Sequence, residues 1–184
     1  GRELKGATAG IIGYGAIGRE MATLCRAIGM RVLACDPHKT IVEPGVTQVS
    51  LDDLLAQSDF VVCLVVATDA TECLMNAARF ARMKRDASFI NLSRGNLVDE
   101  AALADALDRK TLTGAAMDIG RAPDQMPSPV LAGRAEVALA HVEVAPVGED
   151  WVAVVVAVLT TPDGADERLT GAAVVREDVR QAVI

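Results

Sequence analysis

The 184-residue sequence is poor in aromatic and histidine side chains, and its cysteines are not paired. Phe, Trp and Tyr make up 3% of the residues and histidine occurs twice, so a core must be built from aliphatic side chains. None of the four cysteines belongs to a C-x-x-C pair (Cys25, Cys35, Cys63, Cys73). Without ligand pairs a structural zinc site is not expected, and no metal is predicted. We expect buried free thiols of a reducing compartment.

Clusters of basic residues and long apolar runs are missing as well. The net charge is −7 and Lys and Arg form no stripe, which argues against nucleic acid as a partner because phosphate binding needs clustered cations. The longest apolar runs, FVVCLVVA and WVAVVVAVL, are far too short to span a bilayer. The sequence also does not open with a signal-peptide pattern. We therefore expect a cytoplasmic protein with no membrane partner.

The sequence does contain a regular alternation of strand-like and helix-like segments. Apolar runs bounded by turn residues predict seven strands, over 7–12, 31–35, 46–50, 60–66, 88–92, 113–118 and 136–140. Helices are predicted over 17–28, from about Leu51, over about 71–83 and over 99–109. Ser50 has the capping-box spacing for the second of these helices, and Asp99 is the predicted N-cap of the fourth. The first has one apolar face (Ile17, Met21, Leu24, Cys25, Ile28) and Gly29 as its stop.

This alternation predicts an α/β fold. Strands that alternate with helices form a parallel sheet covered on both faces, here a Rossmann-type doubly wound sheet in three α/β/α layers. The Pro- and Gly-rich segment over 119–134 is predicted to be a loop.

The most specific motif is the glycine loop GYGAIG, between the first strand and the first helix. Gly13, Gly15 and Gly18 have the G-x-G-x-x-G spacing of a dinucleotide site. Gly13 makes the turn, Gly15 admits the pyrophosphate and Gly18 lets helix and strand pack closely. The N–H groups near Ala16 and Ile17 would hold the phosphates. A strand-to-helix turn without a ligand is the alternative.

An acidic residue completes this fingerprint. Asp36 ends the second strand, 18 residues after Gly18, where a carboxylate accepts hydrogen bonds from the adenosine ribose. A carboxylate repels a 2′-phosphate, so NAD is predicted rather than NADP. His38 and Lys39 follow directly and keep this preference from being absolute.

Arg94 and His141 are predicted to meet at the carboxyl edge of the sheet. Arg94 comes after the fifth strand and His141 after the seventh, and ligands of such sheets bind at that edge. An arginine can clamp a carboxylate, and a histidine can exchange a proton near neutral pH. Taken separately, an arginine after a strand is more often a solvated residue, and a lone histidine is more often not catalytic.

Five stretches together resemble the NAD-binding domain of the D-isomer-specific 2-hydroxyacid dehydrogenase family, which includes phosphoglycerate dehydrogenases and glyoxylate/hydroxypyruvate reductases. They run in family order to about residue 119: GRELKGATAGIIGYGAIGRE, MRVLACDP, LLAQSDFVV, MKRDASFINLSRGNLVDEAALADAL and LTGAAMDI. A weaker match follows at VALAH.

The resemblance implies an oxidoreductase that transfers hydride between NADH and a small 2-keto or 2-hydroxy acid. Arg94 falls on the arginine that clamps the substrate carboxylate and His141 on the histidine that donates the proton. Asp118 falls on the aspartate that holds the nicotinamide carboxamide, and Thr71 on a threonine near the cofactor. The family commonly dimerises through this domain, so a homodimer is expected.

The sequence departs from the family pattern around its catalytic histidine. The family pairs that histidine with a glutamate in the pattern D-V-F-x-x-E-P, whereas this chain reads DIGRAPDQ and has Pro123 at that position. Asp124, one residue later, or Glu143 would have to substitute. Past about residue 144 the similarity ends, and WVAVVVAVL has the β-branched composition of a strand.

These features predict an NAD-binding domain over 1–145 and a C-terminal tail over 146–184. The family builds its substrate domain largely from sequence that precedes this domain, so the substrate domain is expected to be absent, leaving NAD binding with little turnover. A non-catalytic NAD-binding module, as in corepressors related to the family, is the alternative function.

Overall fold

The computed structural model describes residues 3–124, 126–147, 150–160 and 166–174, with side chains described as far as Val137. Within these residues nine strands occur: β1 (Thr8–Ile12), β2 (Arg31–Cys35), β3 (Val46–Gln48), β4 (Phe60–Cys63), β5 (Ser88–Asn91), β6 (Gly114–Met117), β7 (Val137–Val147), β8 (Asp150–Thr160) and β9 (Asp166–Val174). The helices are α1 (Ala16–Ala27), α2 (Leu51–Gln57), α3 (Ala77–Phe80) and α4 (Glu100–Asp108).

The first six strands form a parallel sheet in the order β3-β2-β1-β4-β5-β6. This is the strand order of a doubly wound dinucleotide-binding fold, in which the order reverses between β1 and β4. β1 is buried along its whole length, as a central parallel strand covered on both faces should be. The predicted Rossmann-type sheet is therefore confirmed.

Two apolar cores lie on opposite faces of this sheet because side chains alternate along each strand. Ala9 and Ile11 of β1 pack with Ala22 and Cys25 of α1 on one face. Ile12 belongs to a larger core on the other face, together with residues of α2, α3 and α4 (Leu54, Leu55, Phe80, Leu103, Leu107). These two layers of helices complete the three-layer arrangement.

Helix α1 packs on the sheet through smaller side chains than the sequence pattern predicted. Its buried residues are Gly18, Ala22 and Cys25. Ile17 and Ile28, both assigned to the apolar face, are 47% and 51% exposed. Small residues let a helix approach a sheet closely. Met21 still packs against this core while partly buried, whereas Ile17 and Ile28 lie outside the contact.

The helix predicted over 71–83 is largely wrong. Residues Asp69–Thr71 form one 3₁₀ turn and Ala77–Phe80 form a single helical turn. Between them Met75 is extended: its N–H donates to the Leu97 carbonyl (2.9 Å) and its carbonyl accepts from the Asp99 N–H (2.9 Å). Pairing with a distant segment has overridden the local apolar pattern.

The seventh strand is longer than the predicted 136–140. Its first part pairs in parallel with β6, from Ala115–Val137 to Met117–Leu139. It then pairs antiparallel with β8, which pairs antiparallel with β9. The strand predicted from WVAVVVAVL is confirmed as β8.

The cysteines are all free, as predicted, but only half of them are buried. Cys25 and Cys63 are buried, whereas Cys35 and Cys73 are partly exposed. Burial raises the pKa of the Cys63 thiol to about 11.

In the described part of the chain, no helix combines the length and the apolar character that a bilayer crossing requires.

Candidate active site

The three glycines of the loop after β1 are required for different reasons. Gly13 has φ +94°, and a Cβ there would lie 2.8 Å from the Leu64 carbonyl oxygen. A Cβ at Gly18 would lie 2.3 Å from the Gly13 carbonyl oxygen. A Cβ at Gly15 would meet no protein atom within 4 Å. Gly13 and Gly18 are therefore needed to form the loop, and Gly15 leaves open space in front of α1.

The N-terminus of α1 is free of side-chain caps. Gly15 is its N-cap and accepts the first helical hydrogen bond from the Arg19 N–H (3.1 Å). The first turn contains no acidic residue. The N–H groups of Ala16, Ile17 and Gly18 precede that first bond, so they point with the positive end of the helix dipole toward the open space.

The Asp36 carboxylate lies beside this loop, at the end of β2. Its two oxygens accept hydrogen bonds from the N–H groups of Tyr14 and His38, each at 2.9 Å. Partial burial raises the pKa of this carboxyl, but the two N–H donors and the charges of Lys39 and His38 outweigh it and hold the pKa below its usual range. Asp36 is thus held as a carboxylate against the glycine loop.

Tyr14, inside the glycine motif, was not singled out from the sequence. Its side chain is 3% exposed, and its hydroxyl donates a hydrogen bond to Glu43. Burial, followed by the hydrogen bond to Glu43 and the charge of that carboxylate, raises the pKa of Tyr14 to about 12. Lys39 donates to the Tyr14 carbonyl at 3.1 Å. Tyr14 therefore anchors the loop to the segment after β2.

Thr71 shapes the loop that follows β4. Its hydroxyl oxygen accepts the Thr68 N–H at 2.8 Å and lies 3.0 Å from the carbonyl oxygens of Val66 and Thr68. The same loop contacts the glycine loop at Leu64, whose N–H donates to the Ile12 carbonyl at 2.8 Å. Thr71 therefore fixes a loop that continues the edge begun by residues 13–18.

Arg94 begins a 3₁₀ turn over Gly95–Leu97, directly after β5. Buried Asn91 holds this turn: its amide donates to the Arg94 carbonyl at 2.9 Å and its side-chain oxygen accepts the Ser93 N–H at 3.1 Å. The Ser93 hydroxyl donates to the Val65 carbonyl of the loop after β4. The Arg94 side chain is exposed, and Nη1 donates to the Ser93 carbonyl at 3.0 Å.

An open cleft of about 470 Å³ lies between this turn and the loop after β6. Its lining comes from both segments (Arg94, Gly95, Asn96, Ile119, Gly120, Arg121). The two backbones touch here, because a Cβ at Gly95 would lie 2.1 Å from the Gly120 carbonyl oxygen. Arg94 thus stands at the rim of a cleft formed by the loops after β5 and β6.

Arg121 on the far side of this cleft is a residue that sequence reasoning missed. Its guanidinium pairs with Glu72 and donates to the carbonyls of Val98 (3.1 Å) and Asn96 (3.3 Å). The hydrogen bond from Arg121 is the main reason that the pKa of the Glu72 carboxyl lies below its usual range. Arg121 joins the loops after β4, β5 and β6.

Asp118 and Asp124 occupy different environments. Asp118 directly follows β6, is partly buried, and its N–H donates to the Asn91 carbonyl at 3.0 Å. Asp124 is exposed, and its side chain accepts the Met126 N–H at 3.1 Å within its own turn. Pro123, at the position of the family glutamate, is exposed as well. The role of Asp124 as a replacement carboxylate stays a prediction.

His141 lies inside β7 rather than after it, which corrects the predicted end of that strand. The last parallel pair of β6 and β7 is Met117–Leu139, so His141 comes two residues later, at the edge where Arg94 follows β5. The strand continues because its second half pairs with β8, where His141 is opposite Val156. The side chains of His141 and Glu143 lie outside the described residues, so their roles stay predictions.

Comparison with known proteins gives a consistent result. Residues 1–142 match the family model of the D-isomer specific 2-hydroxyacid dehydrogenase, NAD binding domain. A glycerate dehydrogenase of Methylorubrum extorquens is 44% identical over 117 residues, which cover 64% of this chain and 36% of that protein.

Solved structures of similar proteins share this fold. A D-2-hydroxyisocaproate dehydrogenase superposes with a TM-score of 0.70 at 31% identity, covering 76% of this chain and 46% of that one. A D-lactate dehydrogenase with NAD+ from Lactobacillus jensenii gives a TM-score of 0.67 at 33% identity, covering 74% and 45%. The chain thus spans less than half the length of these relatives.

Proposed function

The chain belongs to the D-isomer specific 2-hydroxyacid dehydrogenase family as its NAD-binding domain, and from that premise we propose that it serves hydride transfer between NADH and a small 2-keto or 2-hydroxy acid. The proposal rests chiefly on one observation: an exposed arginine, Arg94, stands at the rim of a cleft on the same sheet edge as the glycine loop.

The loop after β1 fits a dinucleotide. The space in front of Gly15 is open, and the N–H groups of Ala16 and Ile17 at the α1 N-terminus suit a pyrophosphate. Asp36 retains acceptor capacity for ribose hydroxyls beyond its two backbone donors.

We propose that this carboxylate also selects NAD over NADP by repelling a 2′-phosphate. Asp36→Ala should then lower the NADH to NADPH affinity ratio measured by fluorescence titration, and an unchanged ratio would contradict this role.

Three residues would act on the reactants, and a fourth would support the site. Arg94 would clamp the substrate carboxylate and polarise its keto oxygen, and Asp118 would hold the nicotinamide carboxamide. NADH, when bound, supplies the hydride that reduces the carbonyl carbon. His141 would donate a proton to the new hydroxyl oxygen and take it back in the oxidative direction. Thr71 would maintain the loop beside the cofactor.

Substitution of Arg94 tests this proposal. Arg94→Ala should lower kcat/KM for glyoxylate or hydroxypyruvate reduction by about a hundredfold or more, because a charged clamp is worth about 2–5 kcal/mol. The NADH dissociation constant should stay within about twofold, because the described hydrogen bonds of the Arg94 side chain do not involve residues 13–18. The matched control is Arg109→Ala, which removes an exposed arginine ion-paired with Asp105 on α4. Equal losses of turnover and NADH affinity would contradict the clamp role.

A non-catalytic NAD(H)-binding module is the second candidate function. It is favoured by Pro123 at the position of the family glutamate and by the engagement of Asp124 in its own turn. Tight NADH binding without NADH consumption across a panel of 2-keto acids would support it. If turnover occurs and Asp124→Ala removes a raised histidine pKa from the pH–rate profile, Asp124 replaces the glutamate.

We further propose that the protein is a cytoplasmic homodimer. This proposal is supported by the family, whose members commonly dimerise through this domain. Sedimentation at micromolar concentration should give twice the 19.2 kDa chain mass, and the mass of one chain would contradict the dimer. Cell fractionation tests the location.

A further inference from the structure

Glu100 is a buried carboxylate without a part in the proposed chemistry. It is the first residue of α4 and is 3% exposed. Asp59, another buried carboxylate, pairs with Lys84. The donors to Glu100 are instead backbone and hydroxyl groups that come from one distant segment of the chain. Burial of a carboxylate without hydrogen-bond partners costs free energy. The partners of Glu100 therefore indicate its structural role.

That segment is the loop after β6. Oε1 of Glu100 accepts the Arg121 N–H at 2.8 Å. Oε2 accepts the Ser128 N–H at 2.8 Å and also the Ser128 hydroxyl. The two oxygens therefore hold both ends of residues 121–128, which include Pro123 and Asp124. No helix or strand is described within this loop, so its path depends on bonds of this kind together with the backbone bond from the Ala122 N–H to the Met126 carbonyl (3.1 Å).

The loop after β6, which Glu100 holds, contacts the turn that contains Arg94. Gly120 touches Gly95 so closely that a Cβ at Gly95 would overlap its carbonyl. One residue later, the Arg121 guanidinium donates to the carbonyls of Asn96 and Val98, which end the same turn. Glu100 thus connects to the Arg94 turn through the backbone and side chain of Arg121.

We propose that Glu100 is a positioning residue for Arg94: by holding Arg121 and Ser128 it fixes the loop after β6, which in turn fixes the 94–98 turn at the cleft. This inference rests on the proposed function, since it is Arg94 as carboxylate clamp that needs a fixed position. Hydrogen bonds to an ionised carboxylate are roughly twice as strong as bonds between neutral groups, which suits a residue that holds a loop in place.

The test compares Glu100→Gln with the full wild-type chain. Glutamine keeps the size of the side chain, but its NH2 group is a donor and cannot accept the bonds that one carboxylate oxygen receives. Amide hydrogen exchange of residues 94–98 and 119–128 should become about tenfold faster or more, while β1 residues stay unchanged. On the NADH complex, the dissociation constant of oxamate, an unreactive 2-keto acid analogue, should rise about tenfold with NADH affinity within about twofold.

Two further variants keep the test decisive if Glu100→Gln is poorly folded. Arg121→Ala should loosen residues 94–98 in the same way, and Ser128→Ala, which removes one of the three donors, should have a smaller effect. Asp52→Asn, an exposed carboxylate paired with Arg82, is the matched control and should change neither measurement.

The proposal is overturned if exchange at residues 94–98 is unchanged in folded Glu100→Gln, even where Arg121→Ala accelerates it, because the Arg121 guanidinium contacts that turn directly. If Glu100→Gln does not fold, unchanged exchange in Ser128→Ala overturns the proposal. It is also overturned if NADH and oxamate affinities fall in parallel, as general destabilisation would cause. Failure of the proposed function looks different: Arg94→Ala would then leave oxamate affinity unchanged, while hydrogen exchange still decides the role of Glu100.

Discussion

At the scale of single residues, substitution by alanine should affect different properties at Gly15 and at Gly18: cofactor affinity at Gly15 and stability at Gly18. Gly18→Ala places a methyl group 2.3 Å from the Gly13 carbonyl oxygen, so unfolding should become easier by about 1–3 kcal/mol. Gly15→Ala has open space and φ −77°, so its effect on stability should be small, but it fills the space proposed for the pyrophosphate. NADH affinity should fall at least about tenfold.

Urea unfolding and NADH fluorescence titration check the two glycine variants together. Ala27→Gly, an exposed position in the last turn of α1, is the control: it should cost at most about 1 kcal/mol of stability and leave NADH affinity unchanged. If Gly15→Ala bound NADH as tightly as the wild type, the phosphates would have to lie elsewhere.

Tyr14 gives a second residue-scale prediction, because it is the only tyrosine in the chain. Its ultraviolet titration should have a midpoint near pH 12 instead of the ordinary 10.0, since burial and Glu43 both oppose ionisation. The folded pKa is raised, so the associated stability is complete below pH 10 and is lost as the pH rises toward 12.

Glu43→Ala is the control for the Tyr14 titration. It removes the hydrogen bond and the negative charge but not the burial, so the midpoint should move only part of the way toward 10.0. A wild-type midpoint at the ordinary value would mean that the Tyr14 hydroxyl is solvated.

At the scale of elements, the N-cap of α4 predicts a measurable loss of stability. The Asp99 side chain accepts the Ala102 N–H at 3.1 Å. Asp99→Ala should therefore cost about 1 kcal/mol of unfolding free energy. The control is Asp105→Ala on the same helix, whose exposed pair with Arg109 is worth about 0.3–0.5 kcal/mol. Urea unfolding measures both, and equal losses would argue against a cap.

Elements with local signals could be predicted from the sequence. Ser50 and Asp99 cap α2 and α4 as expected, because capping depends on residues three positions apart. The segment around Met75 could not be predicted, because its backbone bonds go to Leu97 and Asp99, more than 20 residues away. The same limit explains why the end of β7 was placed too early, since it depends on pairing with β8.

The residues of the candidate site also fall into two groups: those that a local sequence motif predicts and those that only the fold brings together. The glycine loop and Asp36 follow from one short motif, and their backbone geometry agrees with it. Arg121 and Glu100 have no such signal, because their partners lie 21 to 49 residues away along the chain. Contacts between loops at the carboxyl edge of the sheet are created by the fold, so only the structure could identify them.

At the scale of the whole molecule, carboxylates hold together segments that are distant in sequence. Asp36 binds the glycine loop, Glu72 binds Arg121, and Asp108 pairs with Arg134 in the segment before β7. In each case donors or arginine charges outweigh any desolvation and lower the pKa of the carboxyl. Ionisation of these groups therefore strengthens the contacts between the loops around the sheet.

As the pH falls, we therefore expect the fold to lose stability already at pH values above those at which these carboxyls are protonated in the native state. Their ordinary pKa values are 3.8 for the two aspartates and 4.5 for Glu72, and the folded values are lower, so the unfolded chain takes up protons first. The free energy of unfolding should be level from about pH 7 to about pH 5 and then fall through about pH 4 and below. Urea unfolding at stepped pH measures this. Arg134→Ala should flatten the fall by removing the cause of the Asp108 shift, and the same slope in this variant would exclude that pair as a source of acid sensitivity.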